Sequence, residues 1–200
     1  MPRLDDIVFD NVTVSLWHVT ESLQELTMLC TREGITLGEL PCSVARCSEM
    51  SVERLLLNAT VGVRRLEHDA DGAPVVPDLD ARVSISHTRG LVALAVSRQA
   101  RHGVDVEYRS DRVARVVERF MNDDEQQRFV TIDEQLLAWT AKEAMFKAEG
   151  NSKLLMTAFQ VDRLPDGITC GVGHSATTVY DIMTRTVKDC ILTLTIARDE

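Results

Sequence analysis

Residues 133–150, DEQLLAWTAKEAMFKAEG, restrict the fold more than any other segment of the chain. At 100° per residue, Leu137, Ala141, Ala144, Met145 and Ala148 fall on one apolar stripe, and Gly150 supplies a helix stop. A helix of this length must bury its stripe against a sheet or another helix. Runs that alternate like antiparallel strands lie around it: GVDVEY (103–108), GITCGVG (167–173), ATTVYDIM (176–183) and CILTLTIA (190–197). The last places Leu192, Leu194 and Ile196 on one side. Between the first strand and the long helix, RVARVVERFM (112–121) reads as an amphipathic helix and NDDEQQRF (122–129) as a capped helical start.

The first half has the same ingredients. NVTVSLWHV (11–19) is rich in β-branched residues and predicts a strand. SVERLLLNATVGVRRLEH (51–68) predicts a helix with Ser51 as N-cap, Arg54 in its first turn, and Leu55, Leu56, Ala59, Val63 and Leu66 at helical spacing. DGAPVVPDLD (71–80) has the Gly, Pro and Asp of a loop. It leads into strands RVSIS and LVALAVS joined by HTRG. The expectation is an α+β fold of two similar subdomains, residues 1–100 and 101–200, each a small antiparallel sheet with a long packed helix.

A net charge of −9 over 200 residues argues against nucleic acid as a main partner. Arginines nonetheless gather at 98, 101, 109, 112, 115 and 119, either as a solvated face or toward an anionic ligand. Five cysteines form no CxxC pair, which suits reduced thiols rather than a disulfide frame or zinc site. The acidic start, MPRLDDIVFD, is unlike a signal peptide, and no apolar run has transmembrane length. These features predict a cytoplasmic protein with no membrane partner.

Three carboxylates stand out. Asp105 and Glu107, two apart on a strand, share a face and repel unless a cation or an arginine lies between them. With Glu143 they make a hard-oxygen set of the kind magnesium takes alongside water and phosphate. An exposed strand edge with arginine neighbours explains the same pair equally well. Glu143 and Lys147 likewise have the spacing of an ordinary surface ion pair, worth about 0.3–0.5 kcal/mol. Trp139 and Phe146 lie closer to the charged side than to the stripe, which implies a cleft or a second packing surface. Ser86, His87 and Asp105 lack a GxSxG elbow, and no GxxxxGK[ST] loop is present, so neither a serine hydrolase nor a P-loop enzyme is indicated.

In this order, GVDVE at 103–107 and WTAKEAMFK at 139–147 resemble the GxD and WxxKExxxK motifs of the 4'-phosphopantetheinyl transferase superfamily. SISHT (84–88) resembles the family's SH element, DGAP its G-x-P loop, and ERLLLNATVGVRRL a helix with an early coenzyme-binding arginine, here Arg54. The resemblance runs from about residue 51 to about 160. The length is that of the tandem, surfactin-type enzymes, in which two pseudo-symmetric halves share one active site and act as a monomer.

The resemblance implies transfer of 4'-phosphopantetheine from coenzyme A to a serine of an apo acyl, peptidyl or polyketide carrier protein, with release of 3',5'-ADP. It implies Asp105, Glu107 and Glu143 on magnesium (manganese as a substitute), Glu143 also as base, and Lys147 at the departing phosphate. Lys142 would contact pyrophosphate, and Arg54, Ser86 and His87 would grip the nucleotide phosphates. The arginine-rich 109–119 segment, with Phe120 and Met121, is the expected carrier-docking patch. Two positions depart from the pattern. Ala73 stands where the loop usually has Lys or Arg, and Ser84 where Asn is usual. Ala73 motivates the alternative of a catalytically weakened relative that binds coenzyme A or a carrier. A magnesium-dependent phosphohydrolase would use the same carboxylates but leave the SH and WxxKE elements without a role.

Overall fold

The computed structural model describes residues 3–38, 43–166 and 169–198. Cys42 and the Gly167–Ile168 start of GITCGVG lie outside these. The chain divides into two compact units, Met1–Gln99 and Ala100–Glu200. Both combine helices with antiparallel sheet, as an α+β fold requires.

The first unit contains β1 (Ile7–Phe9), β2 (Val12–His18), α1 (Leu23–Arg32), α2 (Val44–Val61), β3 (Glu67–His68), β4 (Pro74–Val75), β5 (Arg82–Thr88) and β6 (Leu91–Ser97). Its main sheet has the order β1-β2-β6-β5, antiparallel throughout. Arg89 and Gly90 join β5 to β6 with φ of 35° and 77°. Two successive left-handed residues twist a hairpin loop the way its strands twist. Trp17, Leu26, Leu56, Leu57, Val92 and Leu94 form its core.

Three local expectations change here. The helix predicted to reach His68 ends at Val61 with Gly62 as its cap, leaving Val63 and Leu66 outside it. The helix begins at Val44, and Ser51 lies inside it, its hydroxyl donating to the Cys47 carbonyl at 2.8 Å. Ser51 is therefore a buried mid-helix residue that back-bonds to its own turn, not a cap. Small polar residues on a buried face look like a helix end when only the sequence is read. His87 falls within β5 rather than in the turn. α1, closed by a reciprocal Ser22–Glu25 capping box, was not anticipated.

The second unit contains β7 (His102–Tyr108), α3 (Asp123–Arg128), α4 (Ile132–Glu149), β8 (Gln160–Arg163), β9 (Gly171–His174), β10 (Val179–Val187) and β11 (Cys190–Ala197). The sheet order is β7-β11-β10-β9-β8, with every neighbour antiparallel. α4 starts at a Thr131–Glu134 capping box and ends at Gly150, whose φ is 66°. Segment 112–121 is not one helix but two 3-10 turns, Asp111–Arg115 and Val117–Arg119, parted by Val116 at φ −128°. Three β-branched valines weaken the helix, and no side chain caps either turn. Phe120 and Met121, expected in a docking patch, are instead buried core residues.

α4 is buried on more than the expected stripe. Ala141, Ala144, Met145 and Ala148 are buried, but so are Leu136, Ala138, Thr140 and Lys142, while Leu137 is only partly covered. On the sheet side, Thr140 and Thr193 share a hydroxyl hydrogen bond of 2.7 Å. Trp139 stacks edge-on to Phe120 at 5.0 Å and Phe146 edge-on to Phe159 at 6.3 Å, so both rings serve this unit's core.

Candidate active site

The site begins with a glycine. A Cβ on Gly103 would lie 2.0 Å from the Ala144 carbonyl oxygen and 2.7 Å from the Ala148 nitrogen, both backbone atoms of α4. The helix can rest this close to β7 only because residue 103 has no side chain. Asp105 and Glu107 follow Gly103 at intervals of two, so they project from the same face of β7, the one α4 crosses. Glu143 and Lys147 lie one turn apart on α4 and face them.

The Lys147 ammonium donates to Asp105 Oδ1 at 2.7 Å and to the Val104 carbonyl at 3.1 Å. Asp105 is buried, while Lys147 and Glu107 are half-buried. Burial pushes the Glu143 carboxyl up to about 7; the Asp105 charge, and to a smaller extent Glu107, adds to the rise, and Lys147 opposes it. Three carboxylates therefore face one ammonium, a surplus of negative charge that makes Glu143 reluctant to ionise.

Among the described residues, no three His, Cys, Asp or Glu side chains already stand as a metal-ligand cluster. Asp105 is closed on Lys147 instead. The donor chemistry nonetheless fits a hard divalent cation: all three side chains offer carboxylate oxygen, and their surplus charge is what such an ion neutralises. A cation at Asp105, Glu107 and Glu143 would also pull the Glu143 proton off.

Lys142, expected at pyrophosphate, has other partners. It is completely buried, and its ammonium donates to Glu125 Oε2 and to the Phe120 carbonyl, each at 2.6 Å. Burial pushes this ammonium down, and the Glu125 carboxylate opposes that shift. Glu125 is equally buried and accepts the Asn122 and Val161 backbone N–H groups at 3.1 and 2.8 Å. Sequence reasoning missed Glu125. Its only visible signal was the capping-box spacing from Asn122, which reads as a surface feature.

Arg54, Ser86 and His87 belong to the first unit. Arg54 is buried in mid-α2 and donates to the Met50 carbonyl at 3.1 Å. Ser86 is buried on β5. His87 is half-exposed, with Nε2 2.9 Å from Arg46 and Nδ1 3.3 Å from Glu49; Arg46 also bonds Glu53 at 2.9 Å. Arg46, Glu49 and Glu53 follow one face of α2 at helical spacing; Arg46 and Glu49 precede the predicted helix start, and none of the three was singled out. Ala73 closes the β3–β4 loop just before Pro74, where Asp69 Oδ1 accepts its N–H at 2.9 Å.

Among the described residues, no helix is long and apolar enough to cross a membrane. No curated protein matches the chain. The Asp105–Glu143–Lys147 cluster lies within residues 101–182, the segment that matches the family model of the 4'-phosphopantetheinyl transferase superfamily.

Proposed function

We propose that the chain is a magnesium-dependent, surfactin-type 4'-phosphopantetheinyl transferase, acting as a monomer on apo carrier proteins with coenzyme A as donor. The observation that carries this reading is a coincidence. The matched segment is the one in which Asp105, Glu143 and Lys147 meet around Gly103.

In the reaction, the carrier serine oxygen bonds to the phosphorus that bears pantetheine, the bond to the departing 3',5'-ADP phosphate breaks, and the serine proton passes to Glu143. Without metal, burial and the Asp105 charge hold the Glu143 carboxyl near 7; with the cation bound it would be ionised and able to accept the serine proton directly or through water. Lys147, already anchored between Asp105 and the Val104 carbonyl, presents an ammonium to the leaving phosphate. Asp105, Glu107 and Glu143 would hold magnesium, which when bound would neutralise charge on the phosphoryl oxygens. Ser86 and His87 of the first unit, joined by Arg46, are the groups proposed for the nucleotide phosphates. The buried Arg54 is better suited to supporting α2.

Purified protein, coenzyme A, magnesium and an apo-carrier should yield a carrier heavier by one phosphopantetheine in intact-mass measurement. Coenzyme A binding without the adduct would point to a weakened relative, and coenzyme A cleavage without a carrier to a phosphohydrolase. Arg112 and Arg115 are exposed, with Arg115 only loosely paired to Asp111 at 3.7 Å. An acidic chain needs such a local patch to approach an acidic carrier helix. Arg112→Glu with Arg115→Glu should raise the carrier KM roughly tenfold and leave coenzyme A binding unchanged; an unaltered carrier KM would remove this patch from the docking surface.

A further inference from the structure

Lys142 and Glu143 are adjacent on α4, so about 100° of helix rotation separates them. Lys142 is tied on the α3 side to Glu125 and the Phe120 carbonyl, while Glu143 faces Asp105 and Glu107. On the sheet side, α4 rests on Gly103 by backbone contact. A helix seated on a glycine meets no side chain there to stop it rolling. The Thr140–Thr193 hydrogen bond and the Lys147–Asp105 pair hold α4 to the sheet, and the Lys142 anchor is the restraint on the α3 side.

Glu125 makes that anchor stiff. Its carboxylate joins four pieces of chain: the Asn122 cap of α3, the segment ending at Phe120 through the shared ammonium, the Val161 N–H of β8, and α4 itself. A second bolt lies alongside, where Arg128 of α3 donates to the Val161 and Asp162 carbonyls at 3.0 and 2.9 Å. A roll of about 10° would move a carboxylate roughly 6 Å from the helix axis by about 1 Å. Displacements of that size at a reacting group cost on the order of a hundredfold in rate.

The geometry points to the buried Glu125–Lys142 ion pair as a positioning device that fixes the rotation of α4 and so aims Glu143 at Asp105 and Glu107. This rests on the transferase reading for its catalytic consequence, but its geometric content stands on the contacts alone. Neither residue touches a substrate in this account. A fully buried pair is a poor choice for stability alone, because apolar residues of similar volume often serve as well.

The test uses the full chain with Glu125→Gln plus Lys142→Met. The double variant carries no buried charge; the Gln oxygen keeps the Val161 N–H, while the Asn122 N–H loses its carboxylate acceptor. Glu125→Asp is the companion, retaining charge but withdrawing the carboxylate by one methylene. Three quantities are read: melting temperature, Mn2+ affinity by electron paramagnetic resonance with coenzyme A present, and transfer kinetics. The double variant should melt within about 5 °C of wild type, yet bind Mn2+ at least tenfold more weakly and lose ten- to a hundredfold in kcat. Its coenzyme A KM should change less than twofold. Glu125→Asp should shift Mn2+ affinity and kcat in the same direction by a smaller factor, and decides the matter if the double variant fails to fold.

Wild-type Mn2+ affinity and kcat in folded variants would overturn the positioning role. So would a raised coenzyme A KM with unchanged kcat, which would make Lys142 a phosphate contact. If the wild-type chain forms no carrier adduct but binds Mn2+, weaker Mn2+ binding in the variants sustains the positioning role while the transferase reading falls. A wild-type chain that does neither overturns both.

Discussion

Gly103→Ala is expected to destabilise the protein by about 4 kcal/mol or more, from a single added methyl. The new Cβ would stand 2.0 Å from a carbonyl oxygen of α4, where ordinary contact begins near 3.4 Å. The obstacle is helix backbone, so no rotamer change relieves it. α4 must lift by more than 1 Å over its middle turns, or β7 must bend away from β11. Lifting α4 opens the Thr140–Thr193 hydrogen bond and withdraws Lys147 from Asp105. Denaturant unfolding in a Trp17→Phe background, which leaves Trp139 against Phe120 as the fluorescent reporter, reads the loss; whatever protein remains folded should transfer at least a hundredfold more slowly. A wild-type midpoint would show that α4 does not rest on residue 103. The first letter of the GVDVE motif is thus a packing requirement, and the chemistry depends on it.

This contact also shows how far sequence could be read. Alternation located β7, β10 and β11, and Gly150 located the end of α4, because each of those signals is local. The same kind of signal misplaced 112–121. Its spacing suits a helix, but the valines and the burial of Phe120 and Met121 favour two short turns. The motif pair put Asp105, Glu143 and Lys147 in one unit, and the structure brings Lys147 onto Asp105. Lys142 was illegible. A lysine beside a glutamate on a helix reads as solvent-facing, since lysine is almost never buried unless paired. Its partner, Glu125, lies on another helix in what looks like a surface cap. The first-turn placement of Arg54 fails for a related reason: with α2 starting at Val44 rather than after Ser51, that position belongs to Arg46.

Glu143→Gln is expected to lower transfer by at least about 10³-fold, more than general-base loss alone, because it removes a proton acceptor and a metal-binding oxygen charge together. The same substitution should make the metal-free protein more stable at neutral pH. Burial and the Asp105 charge raise the Glu143 carboxyl from its ordinary 4.5 to about 7, so between these values the folded chain binds more protons than the unfolded one. Stability from this group is therefore complete below about 4.5 and is lost as pH rises through about 7. Metal-free wild type should lose about 1–3 kcal/mol between pH 5 and 8 on this account, allowing for the part of the side chain that water reaches. The Gln variant, with nothing to titrate, should lack that slope and unfold later than wild type at pH 8. Magnesium should restore the wild-type protein at pH 8 and stabilise the variant less, since the variant keeps only Asp105 and Glu107 of the three carboxylates. Denaturant titrations of both proteins at pH 5 and 8, each with magnesium and with chelator, give the four comparisons. Parallel pH slopes would show that Glu143 is not held protonated by its neighbours. Equal stabilisation by magnesium would remove it from the metal-binding set.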